Sequence, residues 1–138
     1  MAWHQQTDKH LVGMDIVHHV LTRHGLDTGH GVPDSKWMDR RRQFLLNITL
    51  KSLQLQTTKD FVWTIVTDEC HAQKERELIG SCANGSVDLR VVSASGPILS
   101  GQQGSLSTML NISGKPGQKL LTTRLDSDDA LAPEFVAM

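Results

Sequence analysis

The sequence is poor in aromatic residues, in cysteine and in long apolar runs. It contains no tyrosine and only two cysteines, Cys70 and Cys82, which are too few for the disulfide framework of a small secreted domain. No stretch approaches the roughly 20 apolar residues of a membrane span, and the first ten residues lack the apolar core of a signal peptide. We therefore expect a single cytoplasmic domain without a membrane span.

The sequence also lacks an excess of either positive or negative charge. Lys and Arg number 14 against 15 Asp and Glu, which gives a net charge of −1, and no basic run is present. Proteins that grip nucleic-acid phosphates carry clusters of Lys and Arg. We therefore expect no nucleic-acid partner.

The order of predicted elements indicates an α/β protein. Short β-branched runs predict strands at 14–21, 61–67 and 86–93, and apolar residues at helical spacing predict a helix at 37–54. The polar stretch 71–83, with only scattered apolar residues, predicts an exposed helix. Asp34 or Ser35 is available to cap the first helix. Because strands alternate with helices, we expect a mainly parallel sheet, with the third strand near an edge. Outside these elements we expect a lead-in at 1–13 and a glycine-rich connection at 98–117 that contains a short helix at 105–112.

Three groups of polar residues have a simple structural interpretation. We interpret Arg40, Arg41 and Arg42 as a solvated first helical turn, with a phosphate clamp as the alternative. Six of the seven histidines lie in residues 1–30, but adjacent histidines on a strand point to opposite faces, which disfavours a shared zinc ion. The Cys70-His71 pair is interpreted as incidental, because no orienting partner is nearby in the sequence.

The most informative stretch is an apolar run, 119–125, that ends at the acidic residues Asp126, Asp128 and Asp129. The run predicts a central parallel strand that is buried on both faces. If this strand continues through Ser127, Asp126 and Asp128 project from one face. Two carboxylates about 5 Å apart repel by about 3 kcal/mol at an effective dielectric of 20, and a hard divalent cation would reverse that repulsion. We therefore expect a metal site, with helix capping as the alternative role of Asp129.

Residues 122–131, Thr-Thr-Arg-Leu-Asp-Ser-Asp-Asp-Ala-Leu, resemble the Asp-x-Asp motif of GT-A glycosyltransferases, and more narrowly a rhamnosyltransferase-like family of that fold. Residues 50–57, 60–63 and 67–69 are similar to another block of the same family. The resemblance implies a GT-A fold with a mainly parallel sheet and flanking helices. It also implies sugar transfer from a nucleotide-diphosphate donor to an acceptor hydroxyl, with Mn²⁺ or Mg²⁺ as cofactor. The implied metal ligands are Asp126, Asp128 and Asp129, and the implied donor-binding residues are Thr22, Arg23, Asp68, Arg124 and Asp126.

Several alternatives stay open. The resemblance covers roughly residues 14–137, and only nine residues follow Asp129, so we expect residues 1–138 to be a truncated, single nucleotide-sugar-binding domain. Such a chain could be a non-catalytic nucleotide- and metal-binding fragment, and a nucleotidyltransferase is the other alternative. We expect Pro133 to begin a final helix over 133–138. An exposed sheet face could also support a homodimer.

Overall fold

The computed structural model describes residues 16–95 and 119–137. Within these residues, four strands form one parallel sheet in the order β3-β2-β1-β4. The strands are β1 (Ile16–Arg23), β2 (Val62–Asp68), β3 (Asp88–Ala94) and β4 (Lys119–Arg124). The predicted α/β class and parallel sheet are confirmed, and in this part of the chain β3 pairs with β2 alone, as expected for an edge strand. The lead-in at 1–13 and the helix expected at 105–112 lie outside the described residues.

One long helical stretch connects β1 to β2. It begins as α1 (Ser35–Phe44), continues as a π-helical segment (Leu45–Leu50) and ends as α2 (Lys51–Gln54). Asp34 caps its start, because the Asp34 carboxylate accepts a hydrogen bond from the Trp37 amide at 2.8 Å. A second helix, α3 (Glu69–Ala83), connects β2 to β3. None of the helices within 16–95 and 119–137 combines the length and the apolar character of a membrane span.

The main core lies between these helices and the sheet. Leucines of the helical stretch and Ile79 of α3 meet strand residues such as Val20 and Ile65 in one buried cluster. Trp63 of β2 is fully buried there, and its indole nitrogen donates a hydrogen bond to Thr22 Oγ1 at 2.9 Å. Neighbouring residues of a strand point to opposite faces, so a second, smaller cluster of Leu26, Val66 and Ala94 belongs to the other side of the sheet.

The strand order reverses at β1, because the next strand in the chain, β2, lies on one side of it and the last strand, β4, lies on the other. Arg23 pairs with Val66 of β2, and Leu21 pairs with Arg124 of β4. Such a reversal of strand order is a topological switch point, and open α/β sheets bind ligands there, at the carboxyl ends of the strands. The ends of β1 and β4 are therefore the place to look for a site.

The predicted position of β4 is wrong for the described part of the sheet. There β4 pairs with β1 alone, and Leu121 is 51% exposed, so the strand is not buried on both faces. Hydrophobicity reports that a side chain favours burial, but it does not report which neighbours are present to cover it.

The predicted final helix is also wrong, because residues 133–137 form turns. Their backbone is bonded to the end of the helical stretch instead. The Thr57 amide donates to the Pro133 carbonyl at 2.8 Å, and the Val136 amide donates to Gln56 Oε1 at 3.1 Å. Val136 packs against the main core.

Candidate functional site

Residues 126–129, which we call the acidic turn, do not continue the strand that precedes them. β4 ends at Arg124, and the next residue, Leu125, still donates its amide to the Leu21 carbonyl at 2.9 Å. The chain then reverses, because the Asp129 amide donates to the Asp126 carbonyl at 3.1 Å. The alternation expected for a continued strand therefore does not apply, and a tight turn sets the directions of Asp126 and Asp128.

The acidic turn is fastened to the helical stretch through its backbone. Thr49 of the π-helical segment donates its hydroxyl to the Asp129 carbonyl at 2.7 Å and lies 3.4 Å from the Asp126 carbonyl. Just after the turn, the Leu131 amide donates to Ser52 Oγ at 3.2 Å. These bonds use backbone groups of the turn and its flank, while all three aspartates of the turn are exposed. The turn is thus anchored and its carboxylates are left for other partners.

Arg41 of α1 lies directly against the acidic turn. Its Nη2 donates to Ser127 Oγ at 2.7 Å, and its Nη1 lies 3.7 Å from Asp128 Oδ2. The guanidinium also lies over the rings of Trp37 and Phe44, with its carbon 5.6 Å and 5.9 Å from their centroids. The interpretation of Arg41 as a solvated residue is therefore wrong.

The donor atoms of the acidic turn suit a hard divalent cation, since carboxylate oxygens are the ligands that Mg²⁺ and Mn²⁺ prefer. In the part of the chain that the structure describes, no three His, Cys, Asp or Glu side chains are grouped closely enough to hold a metal ion. Asp126, Asp128 and Asp129 therefore do not by themselves form a complete metal site, and metal binding by them stays a prediction.

Four of the five predicted donor-binding residues lie on three neighbouring strands, but they differ in exposure. Arg23 and Arg124 are exposed at the ends of β1 and β4. Thr22 is fully buried, and its hydroxyl accepts the indole hydrogen bond described above. Asp68 is 5% exposed and caps α3, because its carboxylate accepts a backbone amide of the first helical turn at 3.0 Å. Ligand contacts by these four residues stay predictions, and those of Thr22 and Asp68 require side chains that are already engaged.

No sequence motif predicted a charge cluster that consists of the buried His24, Arg42 and Glu75 together with the exposed Asp39. Glu75 of α3 is fully buried and accepts hydrogen bonds from Arg42 Nε at 2.9 Å, Arg42 Nη2 at 2.6 Å and His24 Nε2 at 2.9 Å. Arg42 also donates to Asp39 at 3.0 Å. Burial alone raises the pKa of Glu75, but hydrogen bonds from His24 and then Arg42 outweigh it and lower this pKa to about 2.

A signal for the charge cluster is nevertheless present in the helix periodicity. Arg42, like Glu75, occupies a buried stripe of its helix, so a solvated position is wrong for Arg42 too. Charged side chains are almost never fully buried without a partner, so two opposite charges in the apolar stripes of successive helices predict a pair. The stripe of α3 is made of residues three or four positions apart: Ala72, Glu75, Ile79 and Ala83.

Three other candidate side chains, those of His18, Cys70 and His71, have structural neighbours. His18 Nε2 lies 2.7 Å from Thr123 Oγ1, and burial, followed by the neighbouring His19, lowers the pKa of His18. Desolvation of the thiol and then the adjacent Asp68 raise the pKa of the exposed Cys70, which disfavours a thiolate nucleophile. His71 Nε2 donates to a backbone carbonyl at 2.8 Å. These contacts support the incidental interpretation of the Cys70-His71 pair.

The fold and the site together define an α/β protein whose parallel sheet presents an acidic turn and two exposed arginines at its switch point. Residues 32–138 match the family model described as "Putative rhamnosyl transferase", and the chain belongs to this family. The match includes the acidic turn and both sequence blocks that suggested it, but it begins after β1, so Thr22 and Arg23 lie outside it. No curated protein and no solved structure matches the chain significantly.

Proposed function

We propose that this chain is the donor-binding part of a GT-A-type glycosyltransferase. Such an enzyme moves a sugar from a nucleotide diphosphate to an acceptor hydroxyl with Mn²⁺ or Mg²⁺. Membership of the rhamnosyl transferase family supports sugar transfer. The structural observation that carries the proposal is the acidic turn, whose backbone is fastened to the helical stretch while its carboxylates stay exposed at the switch point. An anchored backbone with exposed charges needs little reorganisation to bind a charged ligand.

The chemistry of the donor explains why these groups belong together. As the glycosidic bond breaks, the departing diphosphate gains negative charge, and a bound divalent cation would neutralise it. Asp126 and Asp128 would hold this cation, with Asp129 as the third candidate ligand. Arg23 and Arg124, exposed at the ends of adjacent strands, would place positive charge beside the nucleotide.

Calorimetric titration with UDP-, GDP- and dTDP-sugars, with and without Mn²⁺, tests this proposal. We expect one donor to bind more tightly with Mn²⁺, and Asp128→Asn to weaken that binding by at least about tenfold, since even outer-shell changes at metal sites cost about 10–100-fold. Asp88→Asn is the matched control, because Asp88 is exposed at the amino end of β3, away from the switch point. Donor binding that needs no metal and is unaffected by Asp128→Asn would contradict the site.

Product analysis separates the alternatives. Transfer or hydrolysis of the donor sugar by the purified chain, lost in Asp128→Asn, would support catalysis by this chain. Tight donor binding without turnover would support a non-catalytic binding unit. A nucleoside monophosphate attached to the product would instead identify nucleotidyl transfer.

A further inference from the structure

We propose that Arg41 binds the diphosphate of the donor as a fixed positive charge beside the acidic turn. The inference rests on the proposed function, because the acidic turn has to be the donor site. It assigns different roles to three consecutive arginines that the sequence does not distinguish.

The environments of these arginines differ because consecutive helical residues point in different directions. Arg40 is exposed. Arg42 is buried, and its guanidinium is bonded to Glu75 and Asp39. The side chain of Arg41 is 29% exposed and extends to the acidic turn. Of the three, Arg41 therefore combines access to a ligand with a defined position at the site.

Arg41 is held in place without using all of its hydrogen-bond donors. The rings of Trp37 and Phe44 and the hydroxyl of Ser127 fix the guanidinium, and Ser127 is itself only 3% exposed. The 3.7 Å from Nη1 to Asp128 Oδ2 is too long for a hydrogen bond. The buried Nε has no hydrogen-bond partner among the described residues either, but its burial keeps it from an incoming ligand, so the free donors are those of Nη1 and Nη2. A guanidinium has five N–H donors, so Arg41 retains donors for an anion.

A diphosphate is the ligand that fits both partners at this position. Its oxygens can complete the coordination of a cation held by Asp128, and they can accept charge-assisted hydrogen bonds from Arg41. Without a phosphate, by contrast, Arg41 and a cation on Asp128 would repel each other, because both are positive. Removal of the Arg41 charge should therefore weaken the binding of a metal diphosphate and tighten the binding of the metal alone.

Titration with Mn²⁺ alone and with inorganic pyrophosphate plus Mn²⁺ tests this reversal in the wild type, Arg41→Gln, Arg41→Lys and Arg40→Gln. Arg40→Gln is the matched control, because it removes the same charge from the neighbouring residue, whose side chain is exposed. Arg41→Gln removes a charge-assisted hydrogen bond to the diphosphate, so we expect it to weaken pyrophosphate binding about tenfold or more. The pyrophosphate affinity of Arg41→Lys should lie between those of the wild type and Arg41→Gln, because lysine keeps the charge but lacks the planar guanidinium. Arg40→Gln should change binding less than about twofold.

The outcomes separate this inference from the proposed function. Unchanged pyrophosphate binding in Arg41→Gln, with Asp128→Asn still abolishing metal-dependent donor binding, would overturn the role of Arg41 and leave the donor site standing. Equal weakening by Arg40→Gln and Arg41→Gln would also overturn it, because that result reports only net charge. A wild type that binds neither metal pyrophosphate nor any nucleotide sugar would overturn both proposals. Circular dichroism and thermal midpoints confirm that each variant is folded, and Arg41→Lys serves as the test if Arg41→Gln is not.

Discussion

Replacing Glu75 by glutamine measures how much the buried charge cluster stabilises the fold. The substitution keeps the size of the side chain but removes the carboxylate that accepts two hydrogen bonds from Arg42, which is itself only 7% exposed. Loss of one partner from a buried ion pair leaves the other charge uncompensated and typically costs about 3–5 kcal/mol. The exposed Asp39 remains bonded to Arg42, so we expect the lower end of this range.

The pKa of Glu75 gives a second route to the magnitude. The folded structure lowers this pKa from 4.5 to about 2, which corresponds to about 3 kcal/mol at roughly 1.4 kcal/mol per unit. For a chain of this size, such a loss lowers the melting temperature by on the order of 10 °C. Because the carboxyl pKa is lower in the folded state, this stabilisation is complete above pH 4.5 and is lost as the pH falls toward 2.

Urea unfolding at several pH values, followed through the buried Trp63, provides the assay. We expect Glu75→Gln to unfold with about 3 kcal/mol less free energy than the wild type at neutral pH, and this gap to shrink by about 2 kcal/mol at pH 3. The pKa values of His18 and His19 are also lowered, mainly by burial. The wild type and Glu75→Gln therefore lose the same amount of stability from these histidines as the pH falls below 6.5. The comparison of the two proteins therefore isolates the contribution of Glu75.

Glu77→Gln is the matched control for this experiment. Glu77 lies on the same helix but is exposed, and its contact is with the exposed Gln73, so its loss should change stability by less than about 0.5 kcal/mol. The reasoning about Glu75 would be refuted if the unfolding free energies of the wild type and Glu75→Gln differed by less than about 1 kcal/mol at neutral pH. A difference that stays constant down to pH 3 would refute it too.

Two further substitutions test the packing around the site by equilibrium unfolding and hydrogen exchange. Gly25→Ala should cost about 2 kcal/mol or more, because Gly25 has φ +73° and a Cβ there would lie 2.3 Å from Met38 Sδ. Gly31→Ala, at φ +94° with no atom within 4 Å of its Cβ, should cost only about 1 kcal/mol, and equal costs would contradict the steric contribution. Gln56→Ala removes two hydrogen bonds to the tail after the acidic turn, so we expect faster amide exchange in that tail and a loss of about 1–2 kcal/mol. Gln54→Ala, which removes an exposed hydrogen bond, is its control, and unchanged exchange in Gln56→Ala would show that the tail is held by other contacts.

The elements before residue 95 could be predicted because each is set by its own local pattern. The strand expected at 61–67 is Val62–Asp68, and the helix expected at 37–54 begins at Ser35 and ends at Gln54. Of the two candidate caps, Asp34 and Ser35, Asp34 caps this helix, and such a cap depends only on residues within one helical turn. Local patterns of this kind require no knowledge of the rest of the chain.

The site itself depends on contacts that no local pattern contains. Arg41 and Ser127 are 86 positions apart, and Thr49 and Asp129 are 80 positions apart. The family resemblance identified the aspartates of the acidic turn, but it gave no indication of the helical residues that anchor it. Similarly, Pro133 was a plausible helix start, yet the tail is bonded to Gln56 and Thr57, which follow the end of α2.

The π-helical segment explains how one helix can serve both the core and the site. Leu45 and Leu50 are both buried in the core although they are five residues apart, a spacing that would place them about 140° apart around a regular α-helix. A π-helical turn closes on the fifth residue, so it brings both leucines to the sheet. Thr49, one position before Leu50, is then directed at the backbone of the acidic turn. The interruption in helical spacing thus lies where the helix meets the acidic turn, and the segment that fits an α-helix least well is the one that positions the carboxylates.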